Sequence, residues 1–258
     1  MLTLPTLMVQ PSLEHLIGIQ DDVRKHFGWT LESDLKGAKM MADIFGGDKP
    51  FGVSQWAPEM REDVLQYLQS KIQTCQKLVF IGAAVEPEDL IDLQEEGTEF
   101  IVADGAIGAC FETISPLCVI SDFDGQPYLD KAASLNIPFV LHAHGDNTER
   151  WLQTFERWSS LNNLPQIVLT HQTPQFFHGL HNVGGFTDGD RAVCFAFWCG
   201  VRHQNIKFIG YDKHLVGRWS GHTTPEQKLE KLKWMDSILN LFLCYQNKDE
   251  PSNVISMK

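Results

Sequence analysis

Two hydrophobic periodicities divide the chain. From Gln20 to about Gln76, apolar residues recur at three- and four-residue spacing, as in SDLKGAKMMADIF and APEMREDVLQYLQSKIQTC, which predicts amphipathic helices with Ser33 and Pro58 at helix starts. From Lys77 onward the pattern changes to short continuous apolar runs: KLVFIG (77–82), EFIVAD (99–104), LCVISD (117–122), IPFVLH (137–142), QIVLTH (166–171) and IKFIGYD (206–212). Between most of these lie segments long enough for a helix, namely EPEDLIDLQEEG, YLDKAASLN, TERWLQTFERWSSL and DRAVCFAFWCGV. A last amphipathic helix is expected over TPEQKLEKLKWMDSILNLFLCY, opened by Thr224 and Pro225 and followed by a polar tail after Tyr245. Apolar runs alternating with helices predict an α/β fold: a mostly parallel, Rossmann-like sheet flanked by helices on both faces. The division falls into a small helical N-terminal unit, 1–76, and an α/β domain, 77–258.

Five of the six apolar runs finish in an ionisable residue: Asp104, Asp122, His142, His171 and Asp212. In open parallel sheets ligands bind outside the carboxyl ends of the strands, so these residues are expected to gather along one edge and mark a site.

Composition narrows the partners. With 258 residues and 43% hydrophobic content the chain can bury a large core. The formal net charge of -12, with no Lys/Arg cluster, argues against nucleic acid. No apolar run approaches the roughly 20 residues that span a bilayer, and MLTLPTLMVQPSLEHL lacks the features of a secretory leader, so no membrane partner and a cytoplasmic location are expected. Cys75, Cys110, Cys118, Cys194, Cys199 and Cys244 sit in apolar surroundings without Cys-x-x-Cys spacing and read as buried reduced thiols. Oligomeric state stays open: AVCFAFWCGV is apolar all round and must be covered by the core or by a second copy of the chain in a homo-oligomer.

Asp122 and Asp124 leave a buried strand one residue apart, which lets both carboxylates aim at one hard cation, and Gly125 permits a tight turn. An isolated Asp-x-Asp reads equally well as a solvated turn. The further acids Asp104, Asp146 and Asp212 at neighbouring strand ends tip the reading to metal, and all-oxygen donors favour magnesium or manganese. The HAHGDN loop, with His171 and Asp212, also suits a zinc hydrolase barrel, but that fold needs eight strand–helix units and only six strands are counted. His178 and His181 read as polar loop residues. In NVGGFTDGDRAVCFAFW, Gly184, Gly185 and Gly189 could let backbone N–H groups approach a phosphate at a helix start, where Asp188 or Asp190 would also serve as cap. Neither a Walker loop, a dinucleotide fingerprint after Gly82, nor a serine nucleophile elbow is present.

FGWTLESDLKGAKMMADIF (27–45), VADGA (102–106), SDFDG (121–125), HAHGDN (142–147), THQT (170–173), GGFTDGDRAV (184–193) and IGYD (209–212), in this order, resemble the archaeal 6-hydroxymethyl-7,8-dihydropterin pyrophosphokinases, a family distantly similar to thiamine pyrophosphokinases. The resemblance runs from about Phe27 to Asp212; GAAVEP stands where that family usually has a Gly-Pro-Ser turn. It implies magnesium-dependent transfer of the terminal diphosphate of ATP, as co-substrate, to the pterin alcohol in folate or methanopterin synthesis. Carried onto this sequence, Asp122, Asp124 and Asp146 would hold magnesium and Asp104 would support them. Gly184, Gly185, Phe186 and Thr187 would face a phosphate, and Arg191 would stabilise charge on the departing AMP. His144, Asn147, His171 and Gln172 are candidates for orienting the acceptor, with Asp212 also at the substrate, and Phe123 or Phe186 for stacking on the pterin. Thiamine pyrophosphokinase, a metal-dependent nucleotide-sugar glycosyltransferase and a non-catalytic nucleotide sensor remain alternatives.

Overall fold

The computed structural model describes residues 11–202, 206–221 and 224–242, so Cys244 and the expected polar tail lie outside the described residues. Six strands, β1 (Lys77–Ile81), β2 (Thr98–Ala103), β3 (Cys118–Ser121), β4 (Phe139–Ala143), β5 (Ile167–His171) and β6 (Ile206–Ile209), form one sheet. All are parallel, in the order β5-β4-β3-β2-β1-β6. An open sheet of six strands is not the eight-stranded barrel of the zinc hydrolase alternative.

Burial on both faces explains why the strands read as unbroken apolar runs. Val79, Ile81, Phe100, Val102, Val119, Phe139, Leu141, Ile167 and Leu169 point into one core. Their alternates Leu78, Phe80, Ile101, Cys118, Ile120, Val140 and Val168 point into the other. The first core is closed by residues of α2 (Leu31–Phe45), α4 (Tyr128–Ser134) and α5 (Thr148–Trp158). The second is closed by α1 (Leu13–Phe27), α3 (Pro58–Thr74), α6 (Asp188–Trp198) and α7 (Pro225–Leu241). Three helices therefore precede the first strand, and they pack on both faces of the sheet.

Helix ends follow capping chemistry more closely than periodicity alone. α1 starts before Gln20 because Ser12 accepts a bond from His15 N, and it stops at Gly28, whose φ of 70° suits glycine. α2 is capped by Thr30, which accepts from Ser33 N at 3.2 Å, so Ser33 lies inside the first turn and is not the cap. Pro58 and Pro225 open α3 and α7 as expected. EPEDLIDLQEEG makes no α-helix: it forms a 3-10 turn over Pro87–Leu90 and then turns at Asp92 (φ 61°) and Gly97 (φ 79°). Leu90 is buried while its neighbour Ile91 is exposed, so the segment has an anchor but no helical apolar face. α6 is covered within the chain, lying between the sheet and α7. Cys75, Cys110, Cys118, Cys194 and Cys199 are free thiols, all but Cys75 buried. No helix among the described residues is long and apolar enough to cross a membrane.

One buried cation ties the N-terminal helices to the loops beyond β5. Arg61 donates through Nη1 to the carbonyls of Phe45 (3.0 Å) and Trp56 (2.5 Å) and through Nη2 to that of Gly179 (3.5 Å). Burial pushes its guanidinium down to about 10. Arg61→Met keeps volume but leaves three carbonyls without their donor, so a loss of about 2–4 kcal/mol is expected in urea unfolding. A midpoint unchanged from the wild type would show that these bonds contribute nothing net.

Candidate active site

At the carboxyl edge of the sheet, Asp104 directly after β2, Asp122 and Asp124 after β3, and Asp188 at the first position of α6 each bring one oxygen into a group whose members lie within 4.8 Å of one another. The local chain is shaped for this. Asp104 (φ 45°) and Phe123 (φ 75°) both adopt left-handed backbone, a costly conformation for such residues that commonly marks a site. The Ser121 hydroxyl stitches the two strand ends, donating to Asp104 Oδ1 at 2.6 Å and accepting from Phe123 N at 2.8 Å. A side chain at Gly125 would strike the Asp104 carboxylate, and one at Gly221 would strike that of Asp124. Asp122 Oδ1 and Asp188 Oδ1 are buried and make no hydrogen bond. Buried acceptors without donors are rare, and here they face one another's neighbourhood as a donor set for a hard cation.

The four carboxyls divide by environment. Burial, with Asp124 and Asp188 nearby, pushes Asp104 well above the usual carboxylate range; burial and Asp122 do the same to Asp188 and raise Asp124. Burial would raise Asp122 as well, but the hydrogen bond and charge of His144, followed by Arg191, hold it below the ordinary range. His144 Nε2 lies 3.2 Å from Asp122 Oδ2 and its Nδ1 pairs with Asp146. Against its own burial, these two carboxylates raise the imidazole to about 9, so it is the cation of the pair at neutral pH.

Asp146 therefore does not join the acidic group; its side chain is 80% exposed and serves His144, and Asp188 takes the remaining place in the cluster. The sequence offered Asp188 only as a helix cap. The true cap is Thr187 with Asp190, whose carboxylate accepts from Phe186 N, Thr187 N and Thr187 Oγ1, and that leaves Asp188 free to face the cluster. Two acids one residue apart at a helix start were the available signal, since only one of them can complete the capping box.

The acceptor candidates are mostly occupied as clamps. Asn147, fully buried, accepts from His144 N and donates to the carbonyls of Asp122 and His142. Gln172 donates to Asp34 Oδ2 and accepts from Arg191 Nη2, both at 2.9 Å. Asp34 accepts in addition from Arg24 Nη1 at 2.9 Å and from Gly145 N at 2.8 Å, while Arg24 also donates to the Gln172 carbonyl. A buried chain thus runs from α1 and α2 through Gln172 to Arg191, whose Nη1 is 3.5 Å from Asp188. Composition gave no sign of Asp34 or Arg24; only the fold shows a helix far upstream fixing the HAHGDN loop.

A glycine-rich cleft adjoins the cluster. Its walls include Gly82, Ala83 and Ala84 after β1, Asp104, Asp124, Thr187 to Gly189, Gly210 to Asp212 after β6, Gly217, Trp219 and, from α7, Lys228. The chain reverses the direction of its crossovers between β1 and β6, where open α/β sheets form a ligand crevice. At GAAVEP, Ala83 O accepts from Trp219 N and Ala84 N donates to Gly210 O, so this turn is built into the cleft wall. Asp212 lines the cleft and caps His214 N and Leu215 N. Of the glycine-rich loop only Thr187 lines the cleft with Asp188 and Gly189: Gly184 N donates to Asn182, and Gly184, Gly185 and Phe186 are buried toward Leu16, Gln20 and Arg191. Phe123 is fully buried against Phe155 and cannot stack on a ligand.

Two measurements probe this framework. Asp34→Asn cannot accept from Arg24, Gln172 and Gly145 at once, and breaking a buried ion pair should lower stability by about 3–5 kcal/mol in urea unfolding; a wild-type midpoint would refute the clamp. His171, buried, has its imidazole lowered from 6.5 to about 4 by burial and then by the charge of His181. Below pH 6.5 the unfolded chain gains a proton there that the folded chain refuses, so stability falls as pH drops toward 4. Between pH 7 and 5 this amounts to about 2 kcal/mol, and His171→Gln should narrow the stability difference between those pH values by that amount. An equal difference in both proteins would count against the depressed titration.

No protein-family model matches the chain. Among curated proteins it is 31% identical over 225 residues to the 6-hydroxymethyl-7,8-dihydropterin pyrophosphokinase of Pyrococcus furiosus, covering 83% of this chain and 87% of that protein. The protein of the same name from Methanothermobacter thermautotrophicus is 40% identical over 130 residues, 49% of this chain and 52% of the relative. That from Methanocaldococcus jannaschii is 27% identical over 237 residues, 84% and 90%. A likeness of that extent means that the chain belongs to the 6-hydroxymethyl-7,8-dihydropterin pyrophosphokinase family.

Proposed function

We propose that the protein transfers diphosphate from ATP to 6-hydroxymethyl-7,8-dihydropterin, giving AMP and the pterin diphosphate for folate or methanopterin synthesis, with magnesium as the required cation. The observation that carries this reading is the acidic cluster at the mouth of a glycine-lined cleft, with two buried carboxylate oxygens that make no hydrogen bond, in a chain of this family.

The residues present fit magnesium: four carboxylates, oxygen donors only, close enough to share one ion. Asp122, Asp124, Asp104 and Asp188 would hold it. When bound, the ion supplies charge neutralisation on the phosphates and holds them in place. In the reaction the acceptor hydroxyl oxygen bonds to the β-phosphorus, and the bond from that phosphorus to the α,β-bridging oxygen breaks. AMP leaves with that electron pair, and the hydroxyl proton passes to solvent. No covalent protein intermediate is needed, so the chain's work is positioning. His144 is fixed between Asp122 and Asp146 and keeps Asp122 ionised. Arg191, held by Gln172, directs its guanidinium toward the Asp188 side, where it can meet charge developing on AMP. Gly82, Gly210 and Gly217 let the loops after β1 and β6 close on each other as the cleft wall, because a side chain at any of them would collide with the opposing backbone.

Anaerobic incubation with ATP, magnesium and the reduced pterin, followed by phosphorus NMR, should give AMP that depends on the pterin and does not form with thiamine. Pterin-independent or absent AMP would overturn the reading. Asp124→Asn, at a loop and outside the cores, should abolish turnover with an unfolding midpoint near the wild type. Normal activity in that variant would falsify the metal assignment.

A further inference from the structure

α7 carries three lysines along TPEQKLEKLKWMD, and they differ in what they meet. Lys233 faces outward and pairs with Glu230 at 2.6 Å. Lys228 and Lys231, three residues apart on the face that also buries Leu232 and Met235, form no ion pair among the described residues. Lys228 is half-buried and lines the cleft beside Asp104, Asp124 and Asp188. Lys231 Nζ stands 5.6 Å from the centre of the Trp29 ring and 6.0 Å from that of Phe186. An ammonium without an ion pair that lines a cleft beside three carboxylates, in an acidic protein, is a charge kept for something else.

We propose that Lys228 and Lys231 contact the oxygens of the diphosphate in transit, Lys228 from the cleft wall beside Asp124 and Asp188 and Lys231 from one turn further along the same helix face, over Trp29 and Phe186. The assignment rests on the diphosphate-transfer reading above and adds its missing cations. Besides the ion, a polyphosphate entering this cleft meets four acids, of which Asp122 is paired with His144 and Asp188 with Arg191 on the sheet side. α7 supplies the opposite wall. Lys228 lines the cleft beside Asp104, Asp124 and Asp188, and Lys231 follows about one turn later on the same face of the helix. The lysines therefore stand in line along one helix face, one in the cleft wall and one over the Trp29–Phe186 aromatic pair. Across the transfer the diphosphate exchanges its bond to the AMP oxygen for one to the acceptor oxygen, so cations along this wall can stay in contact with it throughout.

The test uses the full-length protein and needs no turnover. Magnesium-dependent binding of inorganic tripolyphosphate is measured by calorimetry for the wild type, Lys228→Ala and Lys231→Ala, with AMP as control. Each variant should bind tripolyphosphate about tenfold or more weakly, about 1.4 kcal/mol, with AMP affinity within twofold. Lys228→Arg should recover most of the loss. Alanine is well tolerated in a helix, and unfolding midpoints near the wild type will confirm intact folding. If either alanine variant keeps wild-type tripolyphosphate affinity, or the wild type fails to bind it, the proposal is wrong, even where pterin-dependent AMP formation stands. Weakened binding in both variants alongside a wild type that makes no pterin diphosphate would support the lysine contacts and overturn the acceptor instead.

Discussion

Four carboxylates brought within 4.8 Å of one another repel. At an effective dielectric of about 20 each ionised pair at that distance costs about 3 kcal/mol, and burial adds to the penalty. The molecule answers by splitting the group: Asp122 is kept ionised by His144 and Arg191, while Asp104 and Asp188 are pushed toward the neutral form. Such a site is stable when part-protonated and stronger still with a cation between the acids. The same repulsion makes the glycines opposite the cluster obligatory, because the backbone must approach the carboxylates closely to hold them there.

Ser121, His144 and Arg191 hold the acids directly, and behind them stand residues that touch no acid in the cluster. Asp34 uses both oxygens on three donors drawn from α1, the loop after β4 and the loop after β5, and through Gln172 the constraint reaches Arg191. Fully satisfied buried networks of this kind are rigid, and they lose much when one member is removed. The helices that precede the sheet are thus part of the framework of the site.

Much of this was legible in the chain. Two-sided burial leaves its mark as unbroken apolar runs, so all six strands and the edge that carries the acids could be read directly; Asp104, Asp122 and Asp124 lie where strand ends put them. What failed has physical causes. The segment after β1 has helix length but no apolar face, and Asp146 follows a strand end yet is exposed and pairs with His144, outside the acidic group. Asp188 was hidden by its resemblance to a cap, and Phe123 by its place between two site acids, where a left-handed backbone turns its ring into the core. Long-range partners such as Arg24 and Lys228 leave no local pattern at all, since their meaning arises only when distant segments meet.

The strand order has a consequence for how the molecule comes together. β1 through β5 pair in sequence order, each with the strand made just before it, whereas β6 must return past all of them to pair with β1, Leu78 against Ile206. A growing chain can therefore lay down most of its sheet while one flank of β1 stays bare, and loop closure over that distance is paid late. Gly210, Asp212 and α7 arrive with that last strand. The acids stand ready first, and the wall that closes the cleft is added at the end, so a half-made chain carries the charge of the site without its enclosure.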